Sequence, residues 1–337
     1  MVPALAVADA LRADGHEVVF AGGERAEAEL VPAAGYRLRP LKVEGISRSN
    51  PIKAARAVLK AAGAFVAALR MLREERPDVV MGGGGYVAGP VGAAAVLARI
   101  PLVLTEADSH LGLTNRALAP FARRVCLAFP IEGRDGDRYR VTGRPVPPPV
   151  TDRAAARRRF ALGEEDTCVL VFGGSLGART INEAAITAFA GAGFHVLHAA
   201  GSRDYESLRR RVPSENYDLR EYITPFGDAL AASDLCVARA GGSIFEIAAH
   251  GRPAILIPYP YAAADHQTSN AEWMRRAGAA VVIPDEQLTA ERLAREVGEL
   301  LGDPSRLRAM GRASAGLARP DAAQVIADEL AAAARER

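Results

Sequence analysis

A chain of 337 residues is long enough for two ordinary domains. With 49% apolar and 24% charged residues it is composed like a folded globular protein, and a formal net charge of +2 makes no demand for a nucleic-acid partner. Its cysteines, Cys126, Cys168 and Cys236, lack any metal-ligand spacing and suit a reducing cytoplasm, and no apolar run approaches the ~18 residues of a membrane span.

The first twenty residues, MVPALAVADALRADGHEVVF, read as an amphipathic helix over about 3–11 and a strand over 17–20. They lack the basic lead and cleavage site of a signal peptide. In an alternating α/β chain a strand and a glycine loop precede such a helix, so a first strand is expected to be missing. A helix over about 25–34 and an irregular passage to Asn50 come next. The helix expected over 51–75 carries Ile52, Ala55, Leu59, Ala62, Val66 and Leu69 at helical spacing, with Lys53, Arg56, Lys60 and Arg70 beside them. An ordinary surface helix is the simpler reading; a basic, apolar face for anionic lipid is the other.

A strand over 78–81 runs into Gly82-Gly83-Gly84-Gly85-Tyr86, where glycines let backbone approach a ligand, although tight turns need glycine too. The strand over 101–105 ends in Glu106-Ala107-Asp108-Ser109-His110, polar groups where parallel sheets bind ligands. Strands over 125–129 and 139–142 lead to Gly143-Arg144-Pro145-Val146-Pro147-Pro148-Pro149, a stiff, donor-poor interdomain linker. The string Asp135-Gly136-Asp137 just before is best read as a solvated turn, and no metal site is expected.

The second half restarts with a charged helix over 151–162 and a strand over 168–172, which opens into Gly173-Gly174-Ser175-Leu176-Gly177 and a helix. Strand, glycine turn and helix start together suit a phosphate, yet the string is neither G-x-G-x-x-G nor a P-loop. Further strands are expected over 194–198, 219–223, 235–238, 254–257 and 279–283. Between the third and fourth of these, Arg239-Ala240-Gly241-Gly242-Ser243 opens a helix bearing Glu246, a carboxylate able to hold two ribose hydroxyls. After the strand over 254–257 a polar loop presents Asp265, His266 and Gln267, groups able to read a sugar. Helices over about 305–317 and 321–335 are broken at Pro320. Two doubly wound α/β domains facing one another, with a site for a nucleotide sugar, is the architecture these elements predict.

The series G-G-G-G-Y-V-A-G-P, T-E-A-D-S-H-L-G-L-T-N-R, G-G-S-L-G-A-R-T-I-N, A-R-A-G-G-S-x-F-E-I-A-A-H-G and D-H-Q-T-S-N-A resembles the MurG family, bacterial peptidoglycan glycosyltransferases of the two-domain GT-B fold. The motifs follow the family's order along nearly the whole chain. The resemblance implies an acceptor and membrane-facing domain over 1–146, a UDP-sugar-binding domain over 147–319, and a final helix over 320–337 returning to the first domain. It implies transfer of N-acetylglucosamine from UDP-N-acetylglucosamine to lipid I, giving lipid II with inversion and with neither metal nor cofactor. It further implies a peripheral protein at the cytoplasmic face of the plasma membrane, on an anionic surface, among cell-wall assembly proteins.

By the same resemblance, Ser175 with Gly173 and Gly174 meets the donor diphosphate and the backbone of Ile223 meets uracil. Arg239, Gly241, Gly242 and Ser243 form the phosphate-side segment, Glu246 holds the ribose, and His266 and Gln267 read the donor sugar. Tyr86 with Gly84 and Gly85 forms the acceptor-side loop, and Asp108, then Glu106, are the candidates for general base. Three departures stand out. The family's first glycine loop and its histidine, which precede V-x-P-A-L-A-V-A, have no counterpart before Met1-Val2-Pro3, so an upstream start codon is expected. The family's N-P-V-R is replaced by Arg144-Pro145-Val146-Pro147, leaving Arg144 as a partial substitute for a phosphate-binding arginine. The segment from Arg239 to Glu246 is one residue short. Competing readings are a GT-B transferase with another lipid acceptor, a UDP-sugar 2-epimerase, which turns over donor without acceptor, and a UDP-sugar-binding protein without turnover.

Overall fold

The computed structural model describes residues 1–23, 26–41, 51–174, 177–212, 214–262 and 265–336, apart from the side chains of 26, 51–61 and 86. Two compact units emerge: Met1–Val146 with Arg319–Arg337, and Pro147–Ala318.

In the first unit, α1 (Val2–Ala13) leads through β1 (Val19–Gly22), α2 (Ala26–Ala33) and β2 (Arg37–Pro40) to the long α3 (Pro51–Glu75). Then β3 (Val80–Gly82), α4 (Gly85–Leu97), β4 (Leu102–Glu106), α5 (Leu113–Leu118), β5 (Arg124–Leu127) and β6 (Tyr139–Val141) alternate. All pairings are parallel, in a four-stranded sheet ordered β3-β4-β5-β6 and a separate pair β1-β2. The stretch expected to be irregular up to Asn50 therefore holds a strand, β2. Its string Arg-Leu-Arg-Pro has one apolar side chain and lies half exposed, so hydrophobic patterning does not mark it. Residues 42–50 of that stretch lie outside the described residues.

The second unit contains α6 (Arg153–Arg159), β7 (Cys168–Phe172), α7 (Arg179–Ala188), β8 (His195–Ala199), α8 (Tyr205–Leu208), β9 (Tyr217–Arg220) and α9 (Phe226–Ala232). After them come β10 (Leu235–Ala238), α10 (Ile244–Ala249), β11 (Ala254–Leu256), α11 (His266–Arg276), β12 (Ala280–Val282), α12 (Ala290–Leu301) and α13 (Pro304–Leu317). Its single parallel sheet is ordered β12-β11-β10-β7-β8-β9. Both central strands, Cys-Val-Leu-Val-Phe and Leu-Cys-Val-Ala, are buried at every position, because helices cover both faces of the sheet. Each large apolar side chain buried there contributes about 1.5–3 kcal/mol.

The last helix, α14 (Ala322–Arg335), packs on α1, β4 and β5 of the first unit, with Ile326, Ala327 and Leu330 buried beside Val7 and Val103. The buried carboxylate of Glu329 anchors it by pairing with Arg124 and Arg140.

Two histidines tie stability to pH. His198 is fully buried, and burial pushes its pKa down to about 3. Burial also lowers His250, whose Nε2 accepts the Val150 N–H at 3.1 Å while its Nδ1 donates to the Glu246 carbonyl at 2.8 Å. Both are neutral in the fold, whereas unfolded imidazoles take up protons below about pH 6.5. Below that pH the unfolded chain binds more protons, so stability is full above about 6.5 and falls with pH towards the folded values. The His198 contribution amounts to about 1 kcal/mol per pH unit. Urea unfolding at a series of pH values from about 7 to 5 is expected to show this slope, and His198→Gln to reduce it to the share left by His250.

Candidate functional site

In the second unit the chain runs outward from β7 through β8 and β9, then returns to β10 and proceeds the other way through β11 and β12. The order reverses between the neighbours β7 and β10, and the crevice beyond the carboxyl ends of strands at such a point is where open α/β sheets take ligands. Both glycine turns of the sequence, 173–177 and 241–243, leave those two strands. Ser175 lies outside the described residues, but the turn around it is tightly built. A Cβ on Gly173 would collide with Ala178, and one on Gly177 (φ +79) with the Ala200 carbonyl. The helix that follows, α7, starts with no side-chain cap at Ala178, which leaves its first backbone donors to the turn.

Around β10 the polar groups converge. Gly241, Gly242 and Ser243 are half-buried, and Glu246 is half-buried one turn into α10, whose other early residues Ile244 and Phe245 are buried. Gln267 brings its Nε2 to 4.0 Å from the Cβ position of Gly241, while its Oε1 accepts the Tyr259 N–H at 3.0 Å. The expected polar loop at 265–267 is in fact a helix start: His266 and Gln267 open α11, after Asp265 in the left-handed region (φ 53). A helix fixes these two side chains more firmly than a loop would. Ile223 is buried just beyond the carboxyl end of β9, the edge strand on the β7 side of the sheet.

Arg239, expected in the phosphate-side segment, is held by partners within its own unit. It is 8% exposed, and its Nη1 donates to the carbonyls of Ile257 and Pro258 and to Asp285, while Nη2 donates to the Thr180 hydroxyl at 2.8 Å. Its guanidinium fastens β10 to α7 and to the turn after β12.

The first unit gathers a second group, at the carboxyl ends of β3 and β4. Glu106 is buried and its carboxylate accepts the backbone N–H groups of Ala107, Asp108 and Gly112 at 3.0, 3.3 and 2.8 Å, and the Asn115 amide at 2.9 Å. Four donors saturate it and fold the 107–112 loop around it. Asp108 is half-buried in that loop and takes no hydrogen bond from the described residues. The loop rests on the glycine run: Thr114 donates to the Gly85 carbonyl at 3.3 Å, and a Cβ on Gly84 would meet Asn115. The Tyr86 side chain is outside the described part. Arg144 is half-buried in this unit, near the Met1 ammonium, whose pKa is lowered by burial and then by Arg144.

Residue-type reasoning passed over Asn115 and Asn270. Both are buried, Asn270 donating to the Ala240 carbonyl just before the second glycine turn, and each has an Oδ1 without a partner among the described residues. The strings T-N-R and S-N-A contain them, but nothing local says that their amides point inward.

Residues 1–127 match the glycosyltransferase family 28 N-terminal domain, and residues 168–326 the glycosyltransferase family 28 C-terminal domain. The chain is 41% identical, over 96% of its length and 93% of the relative's, to a Moorella thermoacetica protein called UDP-N-acetylglucosamine–N-acetylmuramyl-(pentapeptide) pyrophosphoryl-undecaprenol N-acetylglucosamine transferase. A Halorhodospira halophila protein of the same name is 41% identical, over 96% of this chain and 92% of the relative. Among solved structures it is similar to MurG of Acinetobacter baumannii, with a TM-score of 0.79 and 28% identity over 98% of this chain and 95% of that one.

Proposed function

The chain belongs to glycosyltransferase family 28, with the two-domain GT-B fold, and from that premise we propose its reaction: transfer of N-acetylglucosamine from UDP-N-acetylglucosamine to the N-acetylmuramyl sugar of lipid I, giving lipid II. The observation that carries this reading is the pair of glycine turns flanking the strand-order reversal between β7 and β10, with Glu246 one turn beyond the second. The backbone at Gly173 and Gly174 and the first N–H groups of α7 meet the diphosphate, Glu246 accepts from the ribose hydroxyls, and His266 and Gln267 contact the sugar. Ile223 offers its backbone to uracil. Arg239 positions this segment from behind, and Gly241, Gly242 and Ser243 present backbone in front.

The chemistry is one displacement. The C4 hydroxyl of the acceptor gives its proton to the Asp108 carboxylate, its oxygen bonds to the anomeric carbon, and the bond to the β-phosphate breaks with its electron pair leaving on UDP. Fixed backbone dipoles stabilise the charge gathering on the diphosphate. Attack opposite the leaving group inverts the anomeric centre. Glu106 serves as the scaffold of the Asp108 loop, its oxygens being saturated. Tyr86, Gly84 and Gly85 line the acceptor side, and Arg144 assists on the phosphate side.

A lipid-linked acceptor brings the protein to an anionic membrane surface, at its cytoplasmic face, beside cell-wall assembly proteins. Among the described residues no helix is long and apolar enough to cross a membrane, while Leu97, Leu113 and Phe121 of the first unit are each exposed by more than half. Exposed apolar side chains suit peripheral contact with a membrane. Incubation with UDP-N-acetylglucosamine and a lipid I analogue is expected to give a disaccharide-lipid product and UDP in equal amounts. Epimerised or hydrolysed donor without that product would overturn the assignment, and UDP binding without turnover would leave only the donor half.

A further inference from the structure

A line of buried polar side chains runs beneath the glycine turn after β7. Asn182 on α7 is fully buried and donates through Nδ2 to the Ala200 carbonyl at 2.9 Å and to Oδ2 of Asp204 at 3.1 Å. Its Oδ1 lies 3.0 Å from Nε2 of His198, and Nδ1 of His198 lies 2.8 Å from the Tyr217 hydroxyl. At the other end, Oδ1 of Asp204 accepts Nε and Nη2 of Arg179 at 3.1 and 3.0 Å.

Every bond in the line has a forced direction. Turning the Asn182 amide over would set its oxygen against two acceptors, the Ala200 carbonyl and the Asp204 carboxylate. The oxygen therefore faces His198, so Nε2 carries the hydrogen and Nδ1 accepts from the Tyr217 O–H. The Ala200 carbonyl is also the group against which Gly177 is folded, closely enough that no Cβ fits. Gly177 also lines, with Arg179, Arg203 and Asp204, a cavity of about 300 Å³. Nothing about a strand histidine requires this arrangement: an apolar residue would fill β8 without fixing an amide under the turn.

We propose that His198 is a positioning residue for the donor, a neutral Nε2–H imidazole that holds Asn182, and through it the Ala200 carbonyl against which Gly177 folds, so that the glycine turn and the start of α7 are set to meet the diphosphate. The inference rests on the reading of that turn as the diphosphate seat. It makes a specific distinction between two buried amides. A glutamine at 198 reaches the Nε2 position and can donate to Asn182; an asparagine reaches only the Nδ1 position and leaves the Asn182 oxygen unpaired.

Steady-state kinetics should therefore separate the pair. His198→Gln is expected to keep the KM for UDP-N-acetylglucosamine within about threefold of the natural chain, and His198→Asn to raise it about tenfold, with acceptor KM and saturated kcat little changed. Equal donor KM values in the two variants at comparable melting temperatures would overturn the proposal. If neither variant folds, ¹⁵N imidazole shifts of the natural chain decide. A single Nε2–H tautomer that does not titrate between about pH 5 and 8, and whose signals move on adding UDP, supports the role. An Nδ1–H tautomer, or signals indifferent to bound UDP, removes it. Failure of the natural chain to bind UDP at all would instead strike the assignment of the donor site.

Discussion

Asp108→Ala is expected to lower kcat by about a hundred- to ten-thousand-fold while UDP affinity stays nearly intact, the range that a positioned general base contributes. The expectation comes from a division of labour between two neighbouring carboxylates. Glu106 has four hydrogen-bond donors on its two oxygens, so a proton taken up there would displace at least one of them and loosen the 107–112 loop. Asp108, carried on that loop, takes none from the described residues, and its half-buried position leaves it open to a substrate hydroxyl. Asp108→Asn is the sharper variant, since it keeps shape and removes only the basic site. It should fall nearly as far as the alanine variant. Glu106→Gln, by contrast, should show its effect first in melting temperature, because a saturated buried acceptor is being replaced by a group that must donate. Measuring kcat with a lipid-linked acceptor, and UDP affinity by calorimetry, separates these outcomes; wild-type turnover in Asp108→Asn would remove this residue as the base.

The contrast between these carboxylates was hidden in the sequence, as was the orientation of Arg239. Glu106 and Asp108 are two residues apart in one polar string, and only the return of Gly112 and Asn115 to the end of β4 tells them apart. Arg239 opens a glycine turn and reads as part of a phosphate-side segment, and its partners Thr180 and Asp285 lie 59 and 46 positions away. Local pattern carries no information over that distance. The frame was easier to read. Apolar runs such as Cys168–Phe172 and Leu235–Ala238 are buried on both faces and followed within three residues by glycine, so their shortness, their composition and the glycine turn after them mark them as central parallel strands. The half-exposed β2 offers no such run, and α11 begins with His266 and Gln267, whose polarity reads as loop until the helix is seen. Strand ends were legible, then, and with them the glycine turns, while the aim of each polar side chain depended on contacts from elsewhere in the chain.

The donor half is tested most severely at Glu246. This residue stands three places after Ser243, the residue preceding α10, so it has a structural alternative: a carboxylate at the third position of a helix commonly reaches back to the backbone at its start. Alanine alone cannot distinguish the two roles, because it abolishes both. Glutamine can, since it serves such a cap about as well as glutamate but offers the ribose one acceptor oxygen and a donor in place of a charged pair of acceptors. Charge-assisted hydrogen bonds contribute about 1.5–3 kcal/mol each, which corresponds to roughly ten- to a hundredfold in affinity. Glu246→Ala is accordingly expected to raise the donor KM by about a hundredfold, and Glu246→Gln by about tenfold with its melting temperature unchanged. The loss should appear equally for UDP and for UDP-N-acetylglucosamine, because the ribose is common to both, while the acceptor KM stays where it was. A glutamine variant that binds UDP as well as the natural chain would reduce Glu246 to a helix-start residue, and the pentose would need another partner beyond β10.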